Sequence, residues 1–212
     1  MKLPFDKIYF LAYSDDPRRT YNVYKQIKNL ALLPDQYVIN YTSFFPYAEM
    51  CGKALLPADY ERLDWIRYKN SFAGVFNCVS EHYKMIRSAY NLCYKKILVC
   101  EDDVNFIDNY NLIEDTFNRL PDKFGIVKFY HTDYKQTTDD FVLRPVTGYN
   151  DGVKSTLCYA LDRDGMKSYM RSFEKSFRPA DDVFEGCLDV LKTCTGPLIC
   201  SPANLPSNIE SF

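Results

Sequence analysis

The sequence predicts an α/β fold: a single domain spanning residues 1–212, with one central, mostly parallel sheet flanked by helices. Three observations predict it. Short apolar runs, KIYFLA at 7–12, KILVC at 96–100 and TLCYAL at 156–161, have the length and content of buried strands. Longer segments between them carry apolar residues at helical spacing. The two kinds of segment alternate, which is the pattern of a sheet with helices packed on its faces.

Lys7 to Ala12 reads as the first strand, followed by a polar turn, SDDPRR, at 14–19. Thr20 to Leu30 is predicted helical, with Val23, Ile27 and Leu30 on one face. Gln36 to Tyr41 makes a short second strand. Residues 42–70 are irregular and rich in proline and aromatics, the expected place for a functional loop or short helices. Gly74 to Tyr94 has Val75, Val79, Ile86, Ala89 and Tyr90 at near-helical spacing, and Lys95 and Lys96 suit a helix C-terminus. The strand KILVC follows. Asp108 to Leu120 is a further helix, with Leu112, Ile113, Thr116 and Phe117 inward and Pro121 as its stop. Gly125 to Tyr130 and Thr156 to Leu161 are strands, Asp164 to Phe173 and Asp181 to Leu191 helices, and Gly196 to Cys200 a last strand. No internal repeat, low-complexity tract or linker divides the chain.

A chain of 212 residues can bury a sizeable core, and 47% hydrophobic with 25% charged residues is ordinary for a globular protein. The net charge of −2 offers no electrostatic reason to expect nucleic acid as a partner. The 18 tyrosines would suit flat polar ligands such as sugars and bases, although abundance alone does not establish this. Eight cysteines are irregularly spaced with no C-x-x-C pair, so buried reduced thiols are expected in preference to a zinc site or a disulfide framework. Reduced thiols favour a reducing compartment. The N-terminal MKLPFDKIYF enters a strand almost at once and has no signal-peptide pattern, and no apolar run approaches the ~20 residues that cross a bilayer. The expected location is cytoplasmic.

Residues 95–106, KKILVCEDDVNF, end a core strand on Glu101, Asp102 and Asp103. Crowded, partly desolvated carboxylates repel one another and resist full ionisation, so a cation belongs nearby. In an open α/β sheet ligands bind outside the carboxyl ends of strands. Adjacent side chains leave a strand on opposite faces, so one or two acids can aim at a ligand while another anchors the loop. Mg²⁺ and Mn²⁺ commonly bridge a few carboxylates and a diphosphate. A solvated acidic turn is the competing reading. A receiver domain also begins with acids at a strand end. It would need a second apolar strand ending in an acid, and TTDDFVLRP at 137–145 puts its acids before the apolar residues.

With its flanking segments added, the chain resembles glycosyltransferase family 25, the lipopolysaccharide and collagen galactosyltransferase-like group. KIYFLAYSDDPRR at 7–19 is similar to the family's opening strand and Asp/Arg-rich turn. GVFNCVSEHYKMI at 74–86 resembles its G-x-x-G-C-x-x-S-H helix, matching at Gly74, Cys78 and His82. ILVCEDDVNF resembles its E-D-D strand end. STLCYALDRDGMKSYM at 155–170 matches its G-T-x-x-Y-x-x-S-R-x-G-A segment at Thr156, Tyr159, Arg163 and Gly165, and RPADDVF at 178–184 its P-V-D-E/D-F/L element at Asp181. Two positions depart: Glu81 stands where the family has Ser, and Asn77 where it has Gly. The chain is also compact for the group, which bears on the acceptor more than on the fold.

The resemblance implies a GT-A-type fold and an inverting transfer of galactose or a similar hexose from a UDP-sugar, with surface glycans such as lipopolysaccharide or capsule as acceptors. Asp103 and Glu101 are then the expected contacts of a divalent metal, Mn²⁺ or Mg²⁺, that neutralises the departing diphosphate. Arg18, Arg19, His82 and Asp102 are the expected donor-binding residues. Asp181 or Asp182 is the expected base for the acceptor hydroxyl, against the plainer reading of an aspartate capping a helix. Tyr159 is expected to pack, and His131 carries no assignment. A lipid-linked acceptor would bring the protein to the inner membrane face, although no amphipathic basic helix is evident. The alternative function is a catalytically silent nucleotide-sugar or glycan-binding protein of the same fold.

Overall fold

In the computed structural model of the chain, residues 3–13, 15–42, 72–132, 140–148, 151–175 and 179–205 are described. The irregular stretch expected at 42–70 lies, from residue 43 onward, outside them.

The apolar run at the N-terminus forms β1 (Lys7–Tyr13), and every residue from Ile8 to Ala12 is buried. Such a run without alternation is what a strand covered on both faces requires. Its side chains divide by parity. Ile8, Phe10 and Ala12 enter the core on one face of the sheet, and Tyr9 and Leu11 the core on the other. β1 pairs in parallel with β2 (Tyr37–Thr42) and with β3 (Lys96–Glu101).

β3 then pairs antiparallel with β7 (Cys158–Asp162), which pairs antiparallel with β5 (Ile126–Lys128). β8 (Leu191–Cys194) runs parallel to β5, and β6 (Leu143–Pro145) antiparallel to β8. Among the described residues the seven strands form one sheet in the order β2-β1-β3-β7-β5-β8-β6. Followed from pair to pair, β1, β2, β3, β5 and β8 point one way and β7 and β6 the other, so the sheet is mostly parallel but mixed. β4 (Val104–Phe106) and β9 (Cys200–Pro202) make a separate antiparallel ribbon.

Helix α1 (Pro17–Asn29) starts three residues before the predicted Thr20. Asp16 is its N-cap, accepting from the Arg18 amide at 2.9 Å, and Pro17 fits the first turn because it has no amide to leave unpaired. The polar turn expected at 14–19 is therefore largely a cap and a first helical turn. Helix α2 (Phe72–Asn91) covers the opposite face of the sheet. Its C-terminus and the turn after it are held by Arg163, whose Nη1 donates to Tyr90 O at 3.2 Å and to Tyr94 O at 3.3 Å. Helix α3 (Tyr110–Asn118) is capped by Asn109, which accepts from the Leu112 amide. Phe117 of α3 packs edge-on against Phe5 and Phe129, with centroids 5.2 and 5.0 Å away.

Helix α4 (Arg163–Lys175) crosses β5 so closely that a Cβ built on Gly165 would lie 2.1 Å from the Gly125 carbonyl oxygen. Gly125 itself has φ +75, a conformation L side chains rarely adopt. Asp162 fastens this junction, accepting from the amides of Phe124, Gly125 and Gly165 at 2.6, 2.7 and 2.9 Å.

Two predicted elements are corrected. The helix expected over Asp181–Leu191 is a short 3-10 helix over Asp182–Cys187, and Leu191 opens β8 instead. The edge of β5 leaves backbone groups that need partners, and residues from 190 onward supply them, beginning with the Ile126 amide to Val190 O at 3.0 Å. The strand expected over Gly196–Cys200 begins only at Cys200 and pairs with β4, which the sequence reading did not separate from the acidic turn. No described helix is long and apolar enough to cross a membrane. The seven described cysteines are free thiols, five of them buried.

Candidate functional site

The parallel pairing of β1 with β3 sets Leu11 opposite Glu101, so both strands end at the same edge. There the three acids separate. Glu101 turns toward α2, Asp102 toward α1, and Asp103 enters the turn between β3 and β4.

Oε1 of Glu101 accepts from the Thr156 hydroxyl. It also lies 3.3 Å from His82 Nε2 and 3.8 Å from Cys78 Sγ. Cys78 and His82 are four residues apart and share one face of α2. The other ring nitrogen of His82, Nδ1, is 2.6 Å from the Tyr159 hydroxyl, and both side chains are fully buried. Burial pushes the Glu101 carboxyl up, but the hydrogen bond and charge of His82, with Thr156, outweigh it and hold the group below its usual value. Burial also pushes the Cys78 thiol well above the ordinary range, with Glu101 adding to the effect, so the thiol is no ready nucleophile. Among the described residues, Cys78, His82 and Glu101 bring one ligand atom each within 4.8 Å of one another.

Asp102 is the anchor. Its Oδ2 accepts from the Tyr13 amide at 2.7 Å, joining the end of β1, and its Oδ1 receives Arg19 Nη1 of α1. Burial still leaves this carboxyl above its usual value, Arg19 countering in part. Arg19 belongs to a buried polar stripe on α1 with Asn22 and Gln26, one or two turns apart. Asn22 Nδ2 donates to Asp102 O at 2.9 Å and Val104 O at 2.8 Å, and Gln26 Oε1 accepts from the Phe106 amide at 3.1 Å. This stripe holds the acidic turn in place. Sequence reasoning found only the apolar face of α1, although three polar residues at helical spacing were its visible trace.

Asp103 is in the opposite condition. Its buried Oδ1 has no hydrogen-bond partner among the described residues. Burial first, then the charge of Glu101, push its carboxyl up to about 7, Arg19 opposing. An orphaned buried carboxylate oxygen fits a hard divalent cation, which prefers oxygen ligands. At Glu101 the fit lies with the second carboxylate oxygen, since the observed contacts fall on Oε1.

The other predicted residues fall around these. Arg18 bonds its own cap, with Nε to Asp16 Oδ1 at 3.0 Å and Nη2 to Oδ2 at 2.9 Å, while 62% of its side chain is exposed. That hydrogen bond holds the Asp16 carboxyl below its usual value, against burial. Arg19 and Asp102 are occupied with each other, and His82 reaches Glu101 and Tyr159 rather than the surface. Asp181 sits at the N-cap position of the 3-10 helix, but its side chain makes no cap bond. Its charge reaches Cys78 and Lys128, so it shares a neighbourhood with Glu101. Asp182 is the first residue of that helix. Glu81, one of the departures from the family pattern, bonds outward to Asn40 at 2.8 Å and Lys84 at 2.6 Å. Asn77, the other, is buried in α2.

Lys128 was missed. It ends β5, fully buried, with Nζ donating to Val153 O and Lys154 O and lying 4.7 Å from the Phe184 ring centroid. Burial pushes its ammonium down to about 7, while Asp181 and Glu101 pull it back up. The signal was a lysine inside the apolar run GIVKFY, in a strand covered on both faces. No protein-family model matches this chain, and no curated protein matches it.

Proposed function

We propose that the chain is a metal-dependent, inverting glycosyltransferase that transfers a hexose, galactose in the family it resembles, from a UDP-sugar to a surface glycan such as lipopolysaccharide or capsule. One observation carries this reading. Residues matched to the family in three separate segments, Cys78 and His82, Glu101, and Thr156 and Tyr159, meet in a single contact network at the end of β3. Residues that are distant in sequence and converge on one carboxylate have a shared reason to be there.

In this reading Asp103 and the second carboxylate oxygen of Glu101 hold Mn²⁺ or Mg²⁺, whose chemistry is to neutralise charge on the departing diphosphate. Asp181 takes the proton from the acceptor hydroxyl, its carboxylate being free of a capping bond. Asp182 is the neighbouring alternative. Below about pH 7 the Lys128 ammonium adds positive charge near Asp181 and Glu101. His82 and Asp102 act by positioning: His82 orients Glu101, and Asp102 with Arg19 fixes the turn. Exposed Arg18 is the member of the donor set best able to reach a diphosphate. A lipid-linked acceptor would bring the protein to a membrane surface without a spanning segment.

The second reading, a catalytically silent nucleotide-sugar or glycan-binding protein, draws support from the internal partners of Glu101 and Asp102, which leave Oδ1 of Asp103 as the acid-triplet oxygen buried without one among the described residues. The test is incubation with Mn²⁺ and a panel of UDP-sugars, monitoring UDP release with and without acceptor glycans. Metal-dependent release that rises with acceptor supports transfer. Binding of UDP without any release favours the silent protein, and absence of both rejects the nucleotide-sugar reading.

A further inference from the structure

We propose that Cys78 Sγ, His82 Nε2 and Glu101 Oε1 form a site for Zn²⁺ or a cation of similar borderline softness, separate in chemistry from the oxygen site at Asp103. The inference does not rest on glycosyl transfer.

The spacing of the donors carries it. Zinc bonds of about 2.0–2.3 Å in a tetrahedron hold neighbouring ligand atoms about 3.3–3.8 Å apart. His82 Nε2 and Glu101 Oε1 are 3.3 Å apart, and Cys78 Sγ and Glu101 Oε1 3.8 Å. The third pair, Cys78 Sγ and His82 Nε2, lies within 4.8 Å, and drawing these two atoms together closes the set. Two donors come from one turn of α2 and the third from the end of β3, two elements packed together through the core.

The surrounding groups are those a ligand histidine needs. A metal-bound imidazole usually donates its other N–H to an oxygen that fixes the ring. Here Nδ1 faces the Tyr159 hydroxyl at 2.6 Å, deep in the core. A tyrosine hydroxyl both donates and accepts, so it serves the metal-free and the metal-bound tautomer alike. On loading, the Cys78 thiol would release its proton to solvent, and His82 would offer the Nε2 lone pair to the metal while its one remaining N–H sits on Nδ1 against the Tyr159 hydroxyl. Thr156 holds Glu101 from the side as a second orienting group.

The donor types select the metal. Thiolate and imidazole suit Zn²⁺, whereas Mg²⁺ and Mn²⁺ take oxygen. Three protein ligands leave one position of a tetrahedron open, the arrangement of sites that bind a water or a substrate rather than merely brace a fold. The Glu101 side chain is 23% exposed while that of His82 is closed off, so the open position lies on the Glu101 side.

The test is titration of the metal-stripped, reduced full chain with Co²⁺. One equivalent should give visible bands of a four-coordinate ion and a near-ultraviolet thiolate-to-cobalt charge-transfer band, both displaced by Zn²⁺. Cys78→Ser should lose the charge-transfer band, and Cys78→Ser and Glu101→Gln should each weaken binding by more than about tenfold. Asp103→Asn should leave the spectrum unchanged, whatever becomes of UDP binding. X-ray absorption of the zinc-loaded wild-type chain should show one sulfur neighbour, a reading that needs no variant to fold. A shell of oxygen and nitrogen alone, a spectrum indifferent to Cys78→Ser, loss of the spectrum in Asp103→Asn, or no saturable binding would each overturn the proposal.

Discussion

Glu101 and Asp102, neighbours in the chain, serve opposite faces of the sheet: Glu101 lies 3.3 Å from His82 on α2, and Asp102 pairs with Arg19 on α1. Strand alternation causes the division. It separates a carboxylate facing the candidate site from one that braces the backbone.

Asp102 should therefore behave as a structural residue. Asp102→Ala removes the carboxylate that receives Nη1 of Arg19, a side chain only 11% exposed, and strips the Tyr13 amide of its acceptor. Breaking a buried pair from one side costs about 3–5 kcal/mol. Urea denaturation should show a loss of that order. Unchanged stability with lost UDP affinity would instead make Asp102 a ligand-binding residue.

Asp181 should do the reverse. Its side chain makes no capping bond, so Asp181→Asn should cost no more than about 1 kcal/mol, through the charge lost near buried Lys128. Transfer should fall by about 10²-fold or more while metal-dependent UDP binding persists. Asp103→Ala should abolish that binding. Normal turnover by Asp181→Asn would reject Asp181 as the base.

Lys128 sets a pH dependence. Its folded pKa is depressed to about 7 from 10.5, chiefly by burial. Between those values the unfolded chain holds a proton that the folded chain has released, so stability rises with pH through this window. Below about pH 7 the favourable term is gone. Asp181 and Glu101 oppose the shift, and the Val153 and Lys154 carbonyls bind Nζ in either charge state. In Lys128→Met the lost bonds add a constant offset. The stability difference between the two proteins should accordingly move toward the wild type from pH 6.5 to 9, measured by urea midpoints. A difference flat with pH would show that Lys128 titrates normally.

Gly165 tests the packing of α4 on β5. A Cβ there would lie 2.1 Å from a backbone oxygen and 3.0 Å from an Ile126 side-chain carbon. Backbone cannot swing aside as a side-chain end does, so Gly165→Ala should cost at least the ~1–3 kcal/mol typical of overpacking. A melting temperature equal to that of the wild type would mean that the helix can lift away.

By itself the sequence determined the elements whose burial is written locally. β1 and β3 are legible because a strand covered on both faces must be apolar throughout. α1 and α2 are legible because a helix covered on one side must repeat its apolar residues at helical spacing. The acid triplet was legible as a strand end carrying excess charge. Tertiary structure alone decided the rest. Leu191–Cys194 became a strand because the edge of β5 needed hydrogen-bond partners, a demand that no local pattern records. Glu101 was separated from Asp102 by which helix each faced. Cys78, His82 and Thr156 reached Glu101, and Tyr159 reached His82, only when α2 and β7 packed beside β3. Periodicity along a chain reports which face of an element is buried; which groups meet there depends on the neighbours that packing supplies.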